Sequence, residues 1–247
     1  MKKEPASIPF LNQFRIYTDT LDHLKGEDKL LISTLNAYSL ILSQKDPLFR
    51  QALSQSDVLI PDGISIVMAS WFIDGYKFPK IAGIDLFYFE MARLNKLKGT
   101  CFFLGSTEAV LEKISHKVGL EFPEVACETY SPPFRNQFTD EDNKAMITAI
   151  NKVSPDVLFI GMTAPKQEKW AFEHFKNIHA NHVCSIGAVF DFYAGTVKRA
   201  PDWMIKIGME WFYRLVSEPQ RLWKRYILGN IAFVWLILKM KFFRKKT

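Results

Sequence analysis

Four short stretches carry side chains able to do chemistry. Thr34 and Asn36 follow the apolar run Leu30-Leu31-Ile32, and Asp62 sits in the turn Pro61-Asp62-Gly63 behind Val58-Leu59-Ile60. Lys166, Gln167 and Glu168 come after Pro165, behind the run Asp156–Gly161, and Asp191 lies beyond Ser185-Ile186-Gly187. A carboxylate at the end of a buried parallel strand stands at the ligand-facing edge of such a sheet. Hydroxyl and amide side chains beside it orient a polar ligand. Free N–H groups at a helix N-terminus, helped by Lys166, can receive an anionic diphosphate. Each stretch has a plainer reading too. Thr34 and Asn36 serve as helix N-caps, Asp62 accepts backbone hydrogen bonds within its turn, and the residues after Pro165 form the polar first turn of an amphipathic helix. For the first two stretches the residues alone favour the plainer reading.

The elements that must position these side chains follow from the pattern of apolar runs. Runs near 30–32, 58–60, 101–104, 156–160 and 183–186 are short and continuously apolar, with helical periodicity between them. That pattern predicts an α/β fold, a Rossmann-like and mainly parallel sheet covered by helices on both faces. A sixth strand is expected over Val125–Tyr130, and a short one near Phe10–Tyr17. Thr34, Asn36, Asp62, Ser106, Gln167 and Asp191 all fall just past the C-terminal ends of the strands, where such sheets open their ligand crevice. The glycine fingerprint of dinucleotide enzymes is missing, which disfavours a nicotinamide-dependent oxidoreductase. Asp140-Glu141-Asp142 contains the D-x-D spacing of a metal-binding diphosphate site, but Thr139 ahead of it makes a capping arrangement with Asp142 the better reading. The five histidines show no metal-ligand spacing, and no metal or other cofactor is expected.

Net charge is +6 over 247 residues, and residues 221–247 carry eight basic side chains and no acidic one, so residues 1–220 stand at −2. A mildly acidic body argues against nucleic acid as a partner. Cys101, Cys127 and Cys184 lie in strand-like runs without C-x-x-C spacing and read as reduced thiols. The start, MKKEPASIPF, lacks an apolar h-region, so no signal peptide is expected. The tail mixes aromatic and basic residues through EWFYRLVSEPQRLWKR, becomes apolar over Tyr226–Met240, and ends KFFRKKT. Its apolar stretch Ile227–Leu238 is 12 residues long, against about 20 needed to span a bilayer. An interfacial helix is therefore expected. Phe233, Trp235, Phe242 and Phe243 would enter the headgroup region, while Lys239, Lys241, Arg244, Lys245 and Lys246 face anionic lipid. The alternative is a helix docked on the protein core or an oligomer contact.

The blocks PKQE at Pro165–Glu168, AGTVKRAP at Ala194–Pro201 and EWFYRLVSEPQR at Glu210–Arg221, with PDGISIV from Pro61 and G-x-D-L at Gly83–Leu86, resemble the WecG/TagA/CpsF glycosyltransferases, glycosyltransferase family 26. The resemblance runs from about Leu31 to about Arg225. It departs from the family's wording at Thr163-Ala164 and Ala188-Val189, where the family is richer in glycine, and this leaves donor identity open. The resemblance implies an inverting, metal-independent transfer of an N-acetylmannosamine-type sugar from a UDP donor to a polyprenyl-diphosphate-linked acceptor, on the cytoplasmic face of the membrane. It implies Asp62 as general base, with Thr34, Asn36 and Gln167 orienting substrates. Arg214, Arg221 and Arg225 would stabilise the leaving diphosphate, with Lys166, Lys198 and Arg199 behind them and Asp191 as partner of the nucleoside. It also implies a catalytic unit over residues 1–208 and a membrane-associating helical appendage over 209–247. A non-catalytic, membrane-docked nucleotide-sugar scaffold is the alternative.

Overall fold

The computed structural model describes residues 6–24 and 28–243. Its centre is a six-stranded sheet of β3 (Leu30–Leu35), β4 (Val58–Pro61), β5 (Thr100–Gly105), β6 (Ala126–Tyr130), β7 (Val157–Gly161) and β8 (His182–Ser185), in the order β4-β3-β8-β7-β5-β6. Every strand pair in it is parallel. Ahead of it, β1 (Ser7–Phe10) and β2 (Phe14–Tyr17) form an antiparallel hairpin, where the sequence predicted one strand.

Side chains leave each strand alternately to the two faces, so continuous apolar runs feed two cores at once. Cys101, Phe103, Val157 and Phe159 pack on one face with the helix Gly83–Leu97. Phe102, Leu104, Leu158 and Ile160 pack on the other with Met146 and Ile150 of the helix Asp140–Val153. Strand β3 runs three residues beyond the predicted Leu30–Ile32: Thr34 pairs with Ile60 inside the sheet, and Asn36 is the first residue outside it. Hydroxyls at Ser33 and Thr34 concealed the extension, because they interrupt an otherwise apolar run. The capping reading of the acidic triplet holds. Thr139 and Asp142 exchange two backbone-to-side-chain bonds of 2.9 and 3.2 Å, which commits Asp142 to the helix start. All three cysteines are free thiols.

At the carboxyl edge, β5 and β7 approach too closely for side chains. Gly105 has φ +124°, and a Cβ there would lie 2.5 Å from the Gly161 carbonyl oxygen. The connections leaving these two strands run to opposite sides, to β6 and to β8, so the crevice expected at such a reversal opens here.

The tail differs from its sequence expectation. Helical structure continues without a break from Pro219 to Phe243, 25 residues, with a π-helical stretch over Lys224–Leu228. By length and composition this helix is long and apolar enough to cross a membrane, which the count of 12 residues did not anticipate. One side of it is docked on the body. Phe233 and Ile237 are buried in the same core as Phe10, Leu40 and Ile66, and Lys241 donates to the Ile73 carbonyl at 3.2 Å while lying over the Phe72 ring. Phe233 is thus removed from the lipid-facing set because it fills the core, whereas Lys241 stays exposed while its bond to Ile73 ties the helix to its neighbour. Trp235, Phe242 and Phe243 do face outward, at 63%, 71% and 79% exposure, with Lys239 over the Trp235 ring. Arg244, Lys245 and Lys246 lie outside the described residues.

Candidate active site

Asp62 occupies the turn that ends β4. Its amide donates to the Leu35 carbonyl at 2.9 Å, which fixes the turn against β3, and Gly63 follows at φ +110°, a conformation that favours glycine, before the helix Ile64–Asp74 begins. Asn36 serves two purposes. Its Oδ1 accepts from the Ser39 amide at 3.0 Å as the N-cap of the helix Ala37–Ser43, and its side chain also hydrogen-bonds the Asp62 carboxylate. Asn36 therefore caps this helix and touches the Asp62 carboxylate at the same time.

Burial raises the Asp62 pKa above the ordinary carboxylate value, and Glu210 adds to this; Lys80, the Asn36 hydrogen bond and Arg225 oppose it. A carboxylate with a raised pKa that is still ionised at neutral pH is a stronger base than an exposed one. Thr34, largely buried, stands one strand over on β3.

At the end of β7, Gln167 is held from two sides. Its Oε1 accepts from the Met162 amide at 3.2 Å, and its Nε2 donates to Glu168 Oε1 at 2.9 Å. Lys166 is turned toward the loop before the helix Asp140–Val153, donating to the Arg135 carbonyl and covering the Phe138 ring. Asp191 accepts from the Thr196 hydroxyl.

The tail supplies the cations. Arg225 stacks over Tyr38 at 4.5 Å, and Arg214 lies 5.2 Å from the Phe192 ring. Each keeps a buried Nε without a hydrogen-bond partner among the described residues. Arg199 pairs with Glu210 at 3.6 Å, and Arg221 pairs with Glu218. Burial lowers the Arg225 pKa, with Arg214 adding to the effect, while Tyr226, Tyr38 and Asp62 favour its charge.

All of these side chains line one cavity of about 1780 Å³: Thr34, Asn36 and Asp62 from β3 and β4; Lys166, Gln167 and Asp191 from the sheet's centre; Arg199, Arg214, Arg221 and Arg225 from the C-terminal segments. Lys198, named in reserve, is exposed and does not line it. The arrangement sets a carboxylate of raised pKa in one cavity with several guanidinium groups, in a partly desolvated space. Such a space can accept a proton at one point and hold a developing diphosphate charge at another.

The profile of the Glycosyl transferase WecG/TagA/CpsF family matches residues 9–247. The chain belongs to that family. The N-acetylglucosaminyldiphosphoundecaprenol N-acetyl-beta-D-mannosaminyltransferase of Bacillus subtilis (strain 168) is 32% identical over 225 residues, 90% of this chain and 85% of the relative. The enzyme of the same name from Bacillus spizizenii is 30% identical, covering 90% and 82%. The one from Staphylococcus aureus (strain MW2) is 26% identical, covering 88% and 83%. As a member of the WecG/TagA/CpsF family, the chain is a glycosyltransferase.

Sequence reasoning passed over five charged groups in this transferase's cavity: Lys80, Glu108, Arg135, Glu168 and Glu210. Lys80 and Glu210 lie far from Asp62 in sequence, and no local pattern signals them. Glu168 was visible inside the PKQE block but read as a first-turn residue. It is 2% exposed, its Oε2 has no hydrogen-bond partner among the described residues, and burial pushes its pKa up to about 7, against hydrogen bonds from Gln167 and its own backbone and the charge of Arg225. Folding therefore favours the protonated acid, and this group's penalty on stability grows as pH rises from the unfolded value through about 7. Glu168→Gln, which keeps an acceptor for Gln167 without the charge, is expected to leave thermal stability nearly unchanged at pH 5 and to raise it at pH 8. Melting curves at the two pH values check this; an equal shift at both would contradict it.

Proposed function

We propose that this glycosyltransferase moves an N-acetylmannosamine-type sugar from a UDP donor to an acceptor sugar carried on a polyprenyl diphosphate, by a single inverting displacement without a metal ion. Its relatives' names specify N-acetylmannosamine as the group transferred and N-acetylglucosaminyl-diphospho-undecaprenol as the acceptor. The observation that carries the reading is the placement of Asp62 and the tail arginines in one cavity. Asp62 takes the proton of the acceptor hydroxyl, and that oxygen forms the new bond to the anomeric carbon. The bond from this carbon to the diphosphate breaks, and UDP leaves with the electron pair. Attack and departure on opposite faces invert the anomeric centre. Arg214, Arg221 and Arg225 meet the charge gathering on the diphosphate, work that a divalent cation does in metal-dependent transferases. Thr34, Asn36 and Gln167 orient the sugar hydroxyls, and Asp191 serves the nucleoside.

A lipid-linked acceptor calls for an enzyme at the membrane surface. The outward face of the tail, with Trp235, Phe242 and Phe243 beside Lys239, suits an anionic bilayer on the cytoplasmic side.

The test is UDP release from a panel of UDP-sugars in anionic vesicles, with and without the lipid-linked N-acetylglucosamine acceptor and with EDTA throughout. Acceptor-dependent release from one donor is expected, from protein that co-sediments with the vesicles. UDP binding without release across donors and acceptors would favour the scaffold reading, release abolished by EDTA would overturn metal independence, and protein left in the supernatant would overturn the membrane assignment.

A further inference from the structure

The cavity does not stop at the charged residues. Beyond Asp62 it continues along the helix Ile64–Asp74, lined there by Ile64, Met68, Trp71 and Phe72. The opposite wall is the helix Gly229–Phe243, through Phe233, Val234, Ile237 and Leu238. Both helices lead away from the chemical centre in the same sense. The first starts right after Asp62, and the second follows Arg225, whose charge bears on Asp62. At their far ends the Lys241 ammonium holds the Ile73 carbonyl and joins them. The first helix has 11 residues, so the cleft runs for roughly 15 Å.

Its lining changes character along that length. At the inner end stand Asp62, Lys80, Arg214, Arg221 and Arg225; from Met68 and Val234 outward every residue just named is apolar. Phe233 and Ile237 form a buried floor, whereas Met68, Trp71 and Val234 are each more than half exposed on the rim. A monomeric protein gains nothing by leaving a long apolar cleft open to water. The gradient matches an amphipathic ligand whose charged end lies at Asp62 and whose hydrocarbon runs outward.

We propose that the first isoprene units of the acceptor lipid lie in this cleft between the helices Ile64–Asp74 and Gly229–Phe243, leading from the diphosphate at the arginines to the bilayer at the tail's outer face. The proposal rests on the acceptor assigned above. It gives the body's own helix Ile64–Asp74 a share in lipid recognition, and it explains why the tail helix is docked through Phe233 and Ile237: that docking builds the second wall.

The test compares two acceptors bearing the same sugar, one on a long polyprenyl diphosphate and one on a short, water-soluble alkyl diphosphate. Met68→Glu and Val234→Glu change exposed rim positions away from the charged centre. With the long acceptor, KM is expected to rise about tenfold in each variant; with the short one, kcat/KM is expected to stay within twofold of wild type. Equal losses with both acceptors, or no loss with either, would overturn the proposal. A diazirine-bearing polyprenyl diphosphate, crosslinked to wild-type protein in vesicles and mapped by mass spectrometry, reads the same cleft without catalysis. Labels at Met68, Trp71 or Val234 support it; labels confined to Trp235, Phe242 and Phe243 would mean that the chain stays in the bilayer and would also overturn it. Absence of transfer by wild-type protein to either acceptor would count against the assigned reaction, with the crosslinks still deciding the cleft.

Discussion

Asp62→Asn is expected to lower turnover by at least about a hundredfold while donor affinity changes little, because positioned proton transfer contributes about 10²–10⁴-fold in rate. Asparagine has the same shape and can keep a hydrogen bond to Asn36, so the variant loses basicity and little else. It should also fold at least as well. The fold raises the Asp62 pKa, which means that its ionised form is disfavoured in the native state, and removing that charge relieves a penalty that is present above the ordinary carboxylate range. Stability and activity should therefore move in opposite directions. Measuring both in one preparation separates catalysis from folding: retained turnover in a well-folded variant would remove Asp62 from the role.

The same electrostatics set the pH dependence. In its proposed role Asp62 works only when ionised, so kcat/KM should fall toward acid on a limb placed above the usual aspartate value of about 3.9. Glu210 raises the Asp62 pKa and Lys80 lowers it. Glu210→Gln should accordingly move the limb to lower pH, and Lys80→Met to higher pH. Limbs that stay in place in both variants would show that some other group governs it.

How far the sequence could be read depended on the range of the interactions involved. The parallel sheet was legible because each buried strand is a local apolar run, and the site's edge was legible because ligand-facing residues follow those runs directly. Thr34, Asn36, Asp62, Gln167 and Asp191 were placed at that edge on that basis, although the residues alone favoured cap and turn roles for the first three; their site roles, like those of the tail arginines, came through the resemblance of whole blocks. What was lost depended on contacts between distant segments. Phe233 and Trp235 lie two positions apart in one apolar helix, yet Phe233 is 8% exposed and Trp235 63%; only the body against which the helix rests distinguishes them. Lys241 reads as one more basic tail residue until the Ile73 carbonyl is placed beside it. Glu168 was hidden in another way. A glutamate in a first helical turn ordinarily complements the helix dipole at the surface, and its burial depends on the strands and loops that close over it.

In the proposed reaction, replacing Arg225 should cost almost as much as replacing Asp62. Its guanidinium stacks on Tyr38, its Nε has no hydrogen-bond partner among the described residues, and Arg214 lines the same cavity. Burial and Arg214 both work against its charge, so the free enzyme holds it at an energetic disadvantage that an incoming diphosphate would offset. Arg225→Met should then lower kcat/KM for the donor by about 10²–10³-fold, the usual loss when one donor to a developing oxyanion is removed. Thermal stability should be unchanged or higher, because a disfavoured buried charge has gone. Arg225→Lys should recover only a small part of the activity: an ammonium restores the charge but neither the planar fork nor the stack on Tyr38. Because charge on the diphosphate grows as the glycosidic bond breaks, kcat should fall further than the affinity for UDP-sugar. Single-turnover rates and equilibrium binding of UDP-sugar in each variant separate those terms. Equal losses in kcat and affinity would place Arg225 in substrate capture, and a lysine variant as fast as wild type would reduce its role to bulk charge.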